Sequence, residues 1–550
     1  MRPGPVRSWA WSALVLAAGL LVPLPTHDRS VVAIDEGQLA AIADRIARGQ
    51  ILYRDVYTGI FPGVYHVAAW LMAVFGDDLV VLRRAQLVAN ALTALCLWRV
   101  ALRVARPASA ALAPGLYLAV VVFDFPGLSM LNYSSLSMLF ALGALLALLS
   151  HLERGRSVDA VASGLCLGAS ALVKQNFGVL AGLAVLAGLL LGRRRPALSG
   201  RSAPRVLFPF VLGGAALVLP ALVAFAAAGA LPDLIDATLV SIGTSQLDAF
   251  RDPLPPIFGA HPDDARFVFL YTPSALFNYL VRGQELLGIG ISPGVRGAAI
   301  RIAYGGALAT LVAGAAMALV APRGDEVGER DAFRAVVAFG ILLFLGIFPS
   351  AIWSHLAFVA APVLLVLVAV VEGADLAVSG RSAVAAWIWR IAWSVVALAA
   401  AVATARISLD VRRWYPEPLG VARGSLRVAP EQRDLLRGAT RFLERCARPG
   451  EPVFAAPDLP VLYFLAERPN PTRFDLVIPG NVSGAEIVAS LERTGTRCVV
   501  YNPRMYLQFR PFAELFPEVA AHLETHFQRV ALLRAGETEW HELVRREEGR

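Results

Sequence analysis

Lysine is nearly absent. Of the 50 basic residues in this 550-residue chain one is lysine, Lys174, and the rest are arginine. Charge is scarce as well, at 17% of residues, while 57% are hydrophobic and the mean hydropathy is +0.60. Soluble domains run near a quarter charged and less than half apolar, so an ordinary soluble protein is excluded as the description of most of the chain. The formal net charge of +8 invites a nucleic-acid reading. No basic stripe with interleaved aromatics supports it, because the arginines fall in short clusters between apolar runs. Cysteine is limited to four residues. Cys96 and Cys166 lie inside apolar runs and read as small core residues. Cys446 and Cys498 have no CxxC or His-rich spacing nearby, so no metal site is expected there. A disulfide between them is compatible with an extracytoplasmic domain.

What is present is a series of long apolar runs. A helix needs roughly twenty apolar residues to cross ~30 Å of hydrocarbon. Candidate spans on that length test are 8–25, 80–104, 108–124, 133–151, 157–174, 177–192, 205–229, 301–321, 334–350, 355–373 and 384–404. The predicted fold class is therefore an α-helical polytopic membrane protein of about eleven spans. The first run resembles a signal peptide, but Pro23-Leu24-Pro25-Thr26 is a poor cleavage site, which favours an uncleaved anchor. Arginine clusters flank alternate spans: Arg2 and Arg7; Arg99, Arg103 and Arg106; Arg154 and Arg156; Arg193, Arg194, Arg195, Arg201 and Arg205; Arg323, Arg330 and Arg334; Arg381. The positive-inside rule assigns these loops to the cytoplasm. An odd number of spans then leaves 405–550 outside.

Composition divides the chain into a membrane module, 1–404, and a C-terminal region, 405–550, that reads like a soluble protein. Two outer segments of the module are long, 26–79 and 230–300. In the first, 36–48 puts Leu39, Ile42, Ala43 and Ile46 on one helical face and stops at Gly49. Residues 62–75 begin at Pro62 and stop before Gly76, about 21 Å of helix and too short to cross comfortably. Both are expected to lie at the membrane surface. A further surface helix is expected at 274–287. The C-terminal region alternates helix (Pro430–Ala447, Gly484–Thr494, Phe512–Phe527) with strand (Pro452–Ala456, Cys498–Tyr501, Val530–Leu533), the pattern of a small α/β domain. It has no Gly-rich phosphate loop and no nucleophile motif, so no catalysis is assigned to it.

The sharpest candidate site opens the first surface helix. Asp35 and Glu36 are adjacent carboxylates at the edge of hydrocarbon, where desolvation is costly. Two readings stand. Asp35 followed by Gln38 matches an N-terminal capping box, and acids suit the positive end of a helix. Alternatively the pair carries chemistry. Lys174, in Leu172-Val173-Lys174-Gln175-Asn176, ends an outward span and is either an interfacial snorkelling lysine or a functional cation. Arg54, Arg83 and Arg84 share that pair of readings. His355, where an outward span turns back, reads from its position as an interfacial histidine. Asp124 either carries chemistry or caps a loop, as do Asn132 and Tyr133. His261-Pro262-Asp263-Asp264 lacks metal-ligand spacing and reads as a turn.

The order of features downstream of Asp35 carries a resemblance. Gly49-Gln50 is followed by Tyr53-Arg54-Asp55, Phe61-Pro62-Gly63-Val64-Tyr65, Phe75-Gly76 and Arg83-Arg84. This order resembles the first outer loop of GT-C glycosyltransferases that use polyprenyl-phosphate sugars, a group including protein O-mannosyltransferases and aminoarabinose lipid A transferases. The likeness covers about 30–105 well and the later spans weakly. In the family's Pro-Pro-hydrophobic-Tyr segment the second proline is here Gly63, and the usual preceding lysine is replaced by Ile60 or Phe61. The resemblance implies that Asp35 is the catalytic base, with Glu36 supporting it. It also makes Asp55, Tyr65, Arg54, Arg83, Arg84, Asp124, Lys174 and His355 candidates for substrate binding. It implies inverting transfer from a polyprenyl-phosphate-linked sugar donor to a glycolipid, glycan or protein acceptor at the outer face of the inner membrane; no cofactor is assigned and no metal ligands are identified in the sequence. The rival reading from composition alone is a non-enzymatic transporter or lipid flippase. Few mid-depth charges and no clear internal repeat argue against it, and the polar candidates collect instead at one membrane face.

Overall fold

The computed structural model describes residues 5–192, 202–241, 251–320, 327–505, 510–536 and 538–545. Arg2, Arg193, Arg194, Arg195, Arg201 and Arg323 of the expected cytoplasmic loops, and 242–250 of the second outer segment, lie outside the described residues. The chain forms two compact units. One comprises Met1–His27, Ala85–Ala221 and Arg251–Asp410; the other comprises Asp28–Arg84, Leu222–Phe250 and Val411–Arg550.

The first unit is helical. Across the chain, seven described helices are long and apolar enough to cross a membrane: Leu79–Ala101, Tyr133–Arg154, Gln175–Gly192, Ala203–Ala227, Pro293–Val320, Ala360–Ser379 and Ala383–Trp414. The remaining expected spans are shorter or interrupted for visible reasons. Pro5–Leu21 and Ser157–Val173 each have 17 residues. The 107–123 stretch divides into Pro107–Ala110 and Leu112–Phe123. Val327–Phe344 carries Arg330, Asp331 and Arg334 at its start. Small residues let these helices close up: a β-carbon on Gly164 or Gly168 would strike the backbone of Phe210 or Gly214. Asn132 caps the Tyr133–Arg154 helix, its side chain accepting the Ser134 N–H at 2.6 Å.

The second unit joins the Asp28–Arg84 segment to the C-terminal region. The Asp35–Ala47 helix buries Leu39, Ile42 and Ala43 as the periodicity predicts, and Gly49 continues the chain at φ 87°. The Gly63–Phe75 helix has Pro62 at its N-cap and Gly76, at φ 106°, at its end. The C-terminal sheet has four strands: β1 (Val453–Ala456), β2 (Cys498–Tyr501), β3 (Phe527–Ala535) and β4 (Thr538–Arg545). Their order is β1-β2-β4-β3, with β1 and β2 parallel and the other pairs antiparallel. Helices Pro430–Cys446, Gly484–Thr494 and Pro517–His526 accompany the sheet, and Cys446 is joined to Cys498 by a disulfide. Two details depart from expectation. The helix at 512–527 is broken at Phe516, and the expected 274–287 helix ends at Val281.

Candidate functional site

The acidic pair separates into two residues with opposite environments. Glu36 is buried and locked to an equally buried Arg83. Arg83 Nε donates to Glu36 Oε1 at 2.5 Å and Nη2 to Oε2 at 2.7 Å, while Nη2 also reaches the Ser30 carbonyl at 3.1 Å. The Val32 N–H adds a bond to Glu36 Oε2 at 3.1 Å. A bidentate pair of this kind satisfies both charges and holds the helix entry in place.

Asp35 is the opposite case. Its side chain is open to solvent and makes no hydrogen bond or ion pair among the described residues. The capping reading is not realised. Ile34 occupies the N-cap with no side-chain hydrogen bond, and Asp35 is the first residue inside the helix. Although the carboxylate reaches solvent, protein atoms packed around it thin its hydration, and this desolvation pushes its carboxyl from an ordinary 3.8 up to about 6. Tyr65 lies close enough to feel its charge. That ring is buried, its hydroxyl hydrogen-bonded with Thr58 Oγ1 at 2.7 Å, and burial raises its pKa.

The Tyr53-Arg54-Asp55 turn is built around a buried Tyr53 at φ 72°, a left-handed position that few aromatic residues adopt. Its hydroxyl donates to the Ile60 carbonyl at 2.9 Å. Arg54 donates to Asp55 through Nε and Nη2 at 3.0 and 3.1 Å; that hydrogen bond holds the Asp55 carboxyl below its ordinary value. Arg84 is exposed.

Arg45 was not singled out by the sequence, yet it ties this loop to the C-terminal region. It donates to Gln50 Oε1 at 2.6 Å, Asp475 Oδ1 at 2.9 Å, and the carbonyls of Asp55 and Thr472 at 2.8 and 3.1 Å. Gly37 is the second such residue. A β-carbon there would stand 2.5 Å from the Val461 backbone nitrogen, so the start of the helix rests directly on the Val461–Leu465 turn of helix.

In the other unit, Lys174 is buried and donates to Ser134 Oγ at 2.7 Å, with the Phe177 ring centroid 4.3 Å from its Nζ. His355 is near enough for the two charges to interact, and its Nδ1 donates to the Ser350 carbonyl at 2.5 Å. Asp124 is fully buried and accepts from Ser274 Oγ at 3.1 Å. Beside the Tyr133–Arg154 helix, Ser135 Oγ donates to Gln86 Oε1 at 2.9 Å, and Gln86 in turn donates to Asn90 at 2.8 Å. Among the described residues no group of three or more His, Cys, Asp or Glu side chains is placed to hold a metal.

These observations define a polytopic membrane protein with an ordered loop over 28–84 and an α/β appendage. Comparison with known proteins then specifies the fold. A family profile described as dolichyl-phosphate-mannose-protein mannosyltransferase matches residues 61–224. The structure of ArnT from Cupriavidus metallidurans bound to undecaprenyl phosphate is similar at a TM-score of 0.54 and 14% identity, over 97% of this chain and 98% of that one. Its apo form gives 0.53 at 15%, over 98% of each chain. The archaeal oligosaccharyltransferase AglB from Archaeoglobus fulgidus, in complex with an inhibitory peptide and a dolichol-phosphate, gives 0.51 at 13%, over 96% and 74%. No curated protein sequence matches the chain. The chain shares the overall fold of these structures.

Proposed function

We propose that this protein is an inverting glycosyltransferase that moves a sugar from a polyprenyl-phosphate donor to a lipid, glycan or protein hydroxyl at the outer face of the inner membrane. The single observation that carries this reading is the contrast between Asp35 and Glu36. One carboxylate is consumed by Arg83, and the other is accessible, unpaired and raised to about 6. A base with that pKa is still mostly ionised at neutral pH and is stronger than an ordinary aspartate. In the reaction Asp35 takes the acceptor O–H proton as the acceptor oxygen forms a bond to the anomeric carbon. The carbon–oxygen bond to phosphate breaks from the opposite face, and phosphate leaves with the electron pair. The anomeric configuration inverts.

Lys174 is proposed as a cation for that leaving phosphate. It is the one lysine of the chain and its described hydrogen bond is to a neutral hydroxyl rather than a carboxylate. The Cys446–Cys498 disulfide supports an extracytoplasmic C-terminal region, since such bonds persist in oxidising compartments. The names of the structural relatives, which include a protein bound to undecaprenyl phosphate, agree with a prenyl carrier.

The test is mass spectrometry of surface glycans and glycolipids from a deletion strain complemented with the natural chain, with Asp35→Asn or with Asp35→Glu. The expected result is loss of one sugar on deletion, its return with the natural chain, and no return with Asp35→Asn. Full restoration by Asp35→Asn at natural protein levels would remove the base from the proposal.

A further inference from the structure

The His261-Pro262-Asp263-Asp264 segment has no part in the reaction proposed above, and the structure gives it a different setting. Asp264 caps the Ala265–Tyr271 helix by accepting the Phe267 N–H at 2.9 Å, so the turn expected from sequence is present. Beside it lies a cavity of ≈ 210 Å³, walled by His261, Asp263 and Thr272 on one side and Arg296, Gly297 and Arg301 on the other.

Its lining holds polar groups that no described residue satisfies. Thr272 is 2% exposed and its hydroxyl has no hydrogen-bond partner. A buried unpaired hydroxyl costs about 1–3 kcal/mol, so it needs a reason. His261 Nε2 donates to the Pro256 carbonyl at 2.7 Å, which leaves Nδ1 as the acceptor nitrogen of the neutral ring, and Nδ1 is buried without a partner. Of the two arginines, Arg296 pairs with Asp263, whereas Arg301 donates to the Gly259 carbonyl and pairs with no carboxylate among the described residues. One positive charge is therefore unmatched at the cavity. The inventory is an uncompensated cation, a hydroxyl donor and one free acceptor nitrogen. That set fits an oxyanion carried by a hydroxylated group.

The position of the cavity selects the source of that oxyanion. Arg296 and Arg301 lie in the first nine residues of the Pro293–Val320 span. Directly beyond them the same span turns large apolar side chains outward, with Ile302 74%, Val312 69% and Leu319 85% exposed. An apolar face of that length is a lipid-facing surface, and arginines at its end stand at headgroup level. We propose that this cavity binds the phosphate headgroup of an anionic membrane lipid. Arg301 and Arg296 hold the phosphate oxygens, the Thr272 hydroxyl donates to one of them, and His261 Nδ1 accepts from a headgroup hydroxyl. Gly297 keeps the cavity open: a β-carbon there would stand 3.2 Å from His261 Nδ1 and 3.3 Å from Arg301 Nη1. This site is independent of the glycosyl-transfer reading.

The test is titration calorimetry on the full chain in detergent micelles with dihexanoyl phosphatidylglycerol, dihexanoyl phosphatidylcholine and inorganic phosphate as separate probes. The anionic lipid is expected to bind at least about tenfold more tightly than the zwitterionic one, and Arg301→Gln to weaken it by about tenfold. Thr272→Val is the second variant. It is expected to weaken the anionic lipid while leaving the unliganded unfolding temperature unchanged or raised, because the natural hydroxyl has no internal partner to lose. Equal binding of the two lipids, or natural affinity in both variants, overturns the proposal. Inorganic phosphate binding as tightly as the anionic lipid assigns the cavity to a free anion and overturns the lipid source.

Discussion

Arg83 grips Glu36 through two near-parallel hydrogen bonds of 2.5 and 2.7 Å, with both side chains shut away from solvent. Removing one partner leaves the other charge buried and unpaired, which costs about 3–5 kcal/mol. Arg83→Met and Glu36→Gln are each expected to lower unfolding stability by an amount of that order. Chemical denaturation in detergent measures it. The double variant Glu36→Leu/Arg83→Met is expected to recover much of the loss, since no stranded charge remains.

Asp35 behaves differently with pH. Transfer is expected to rise with pH through about 6, where the base ionises, and to fall away below it. Stability runs the other way. A carboxyl raised from 3.8 holds its proton more tightly in the native chain than in the unfolded one. Its ionisation therefore opposes folding, and native stability declines as pH climbs from about 4 to 6. Asp35→Asn should abolish transfer while leaving the unfolding temperature at pH 7 unchanged or higher. A fall in that temperature would show that Asp35 has a structural partner.

Much of this arrangement was legible from residue order. The surface helices stop where Gly49 and Gly76 allow positive φ, and the apolar stripe of Leu39, Ile42 and Ala43 faces inward. Strands β1 and β2 fall where apolar runs place them. Strand β4 was missed because Thr538–Arg545 alternates Trp540 and Leu543 with Glu539, His541 and Glu542 and reads as a polar tail. It is nevertheless paired on both sides, with β2 and β3. For the site, the sequence offers Asp35 as a candidate because a carboxylate is expected there at the hydrocarbon edge. Local sequence says nothing of the partnership of Glu36 with a residue 47 positions on, or of Arg45 with one 430 on. Such pairs are settled by tertiary packing.

Gly37 offers a steric test of how the base is held. Gly37→Ala puts a methyl 2.5 Å from the Val461 backbone nitrogen and cannot be absorbed by rotating a side chain. Overpacking of this kind costs about 1–3 kcal/mol and shifts the helix start. Transfer is expected to fall while the Cys446–Cys498 bond, read by gel mobility with and without reductant, still forms. The same change at Gly115, where nothing lies within 4 Å, should leave both measurements unaltered.

The disulfide closes a loop of 52 residues. Chain entropy assigns such a loop about 4 kcal/mol, with 2–4 typical of measured cases. Cys446→Ala/Cys498→Ala is expected to lose an amount in that range, measured by denaturant unfolding. In intact cells, a membrane-impermeant maleimide applied after reduction should label Cys446, the more exposed of the two; labelling that appears only after the membrane is permeabilised would place the region in the cytoplasm.

Arg45 reaches from the Asp35–Ala47 helix to Asp475 and Thr472, and Asp28–Arg84 belongs to the same compact unit as Val411–Arg550. The tail of the polypeptide is thus the scaffolding for a segment made near its beginning. Cutting the chain after residue 404 would not yield a simpler enzyme awaiting an accessory part. It would strip Arg45 and Gly37 of their far-side partners, so a loss of activity in such a truncation reports collapse of the loop and not a separate duty of the tail.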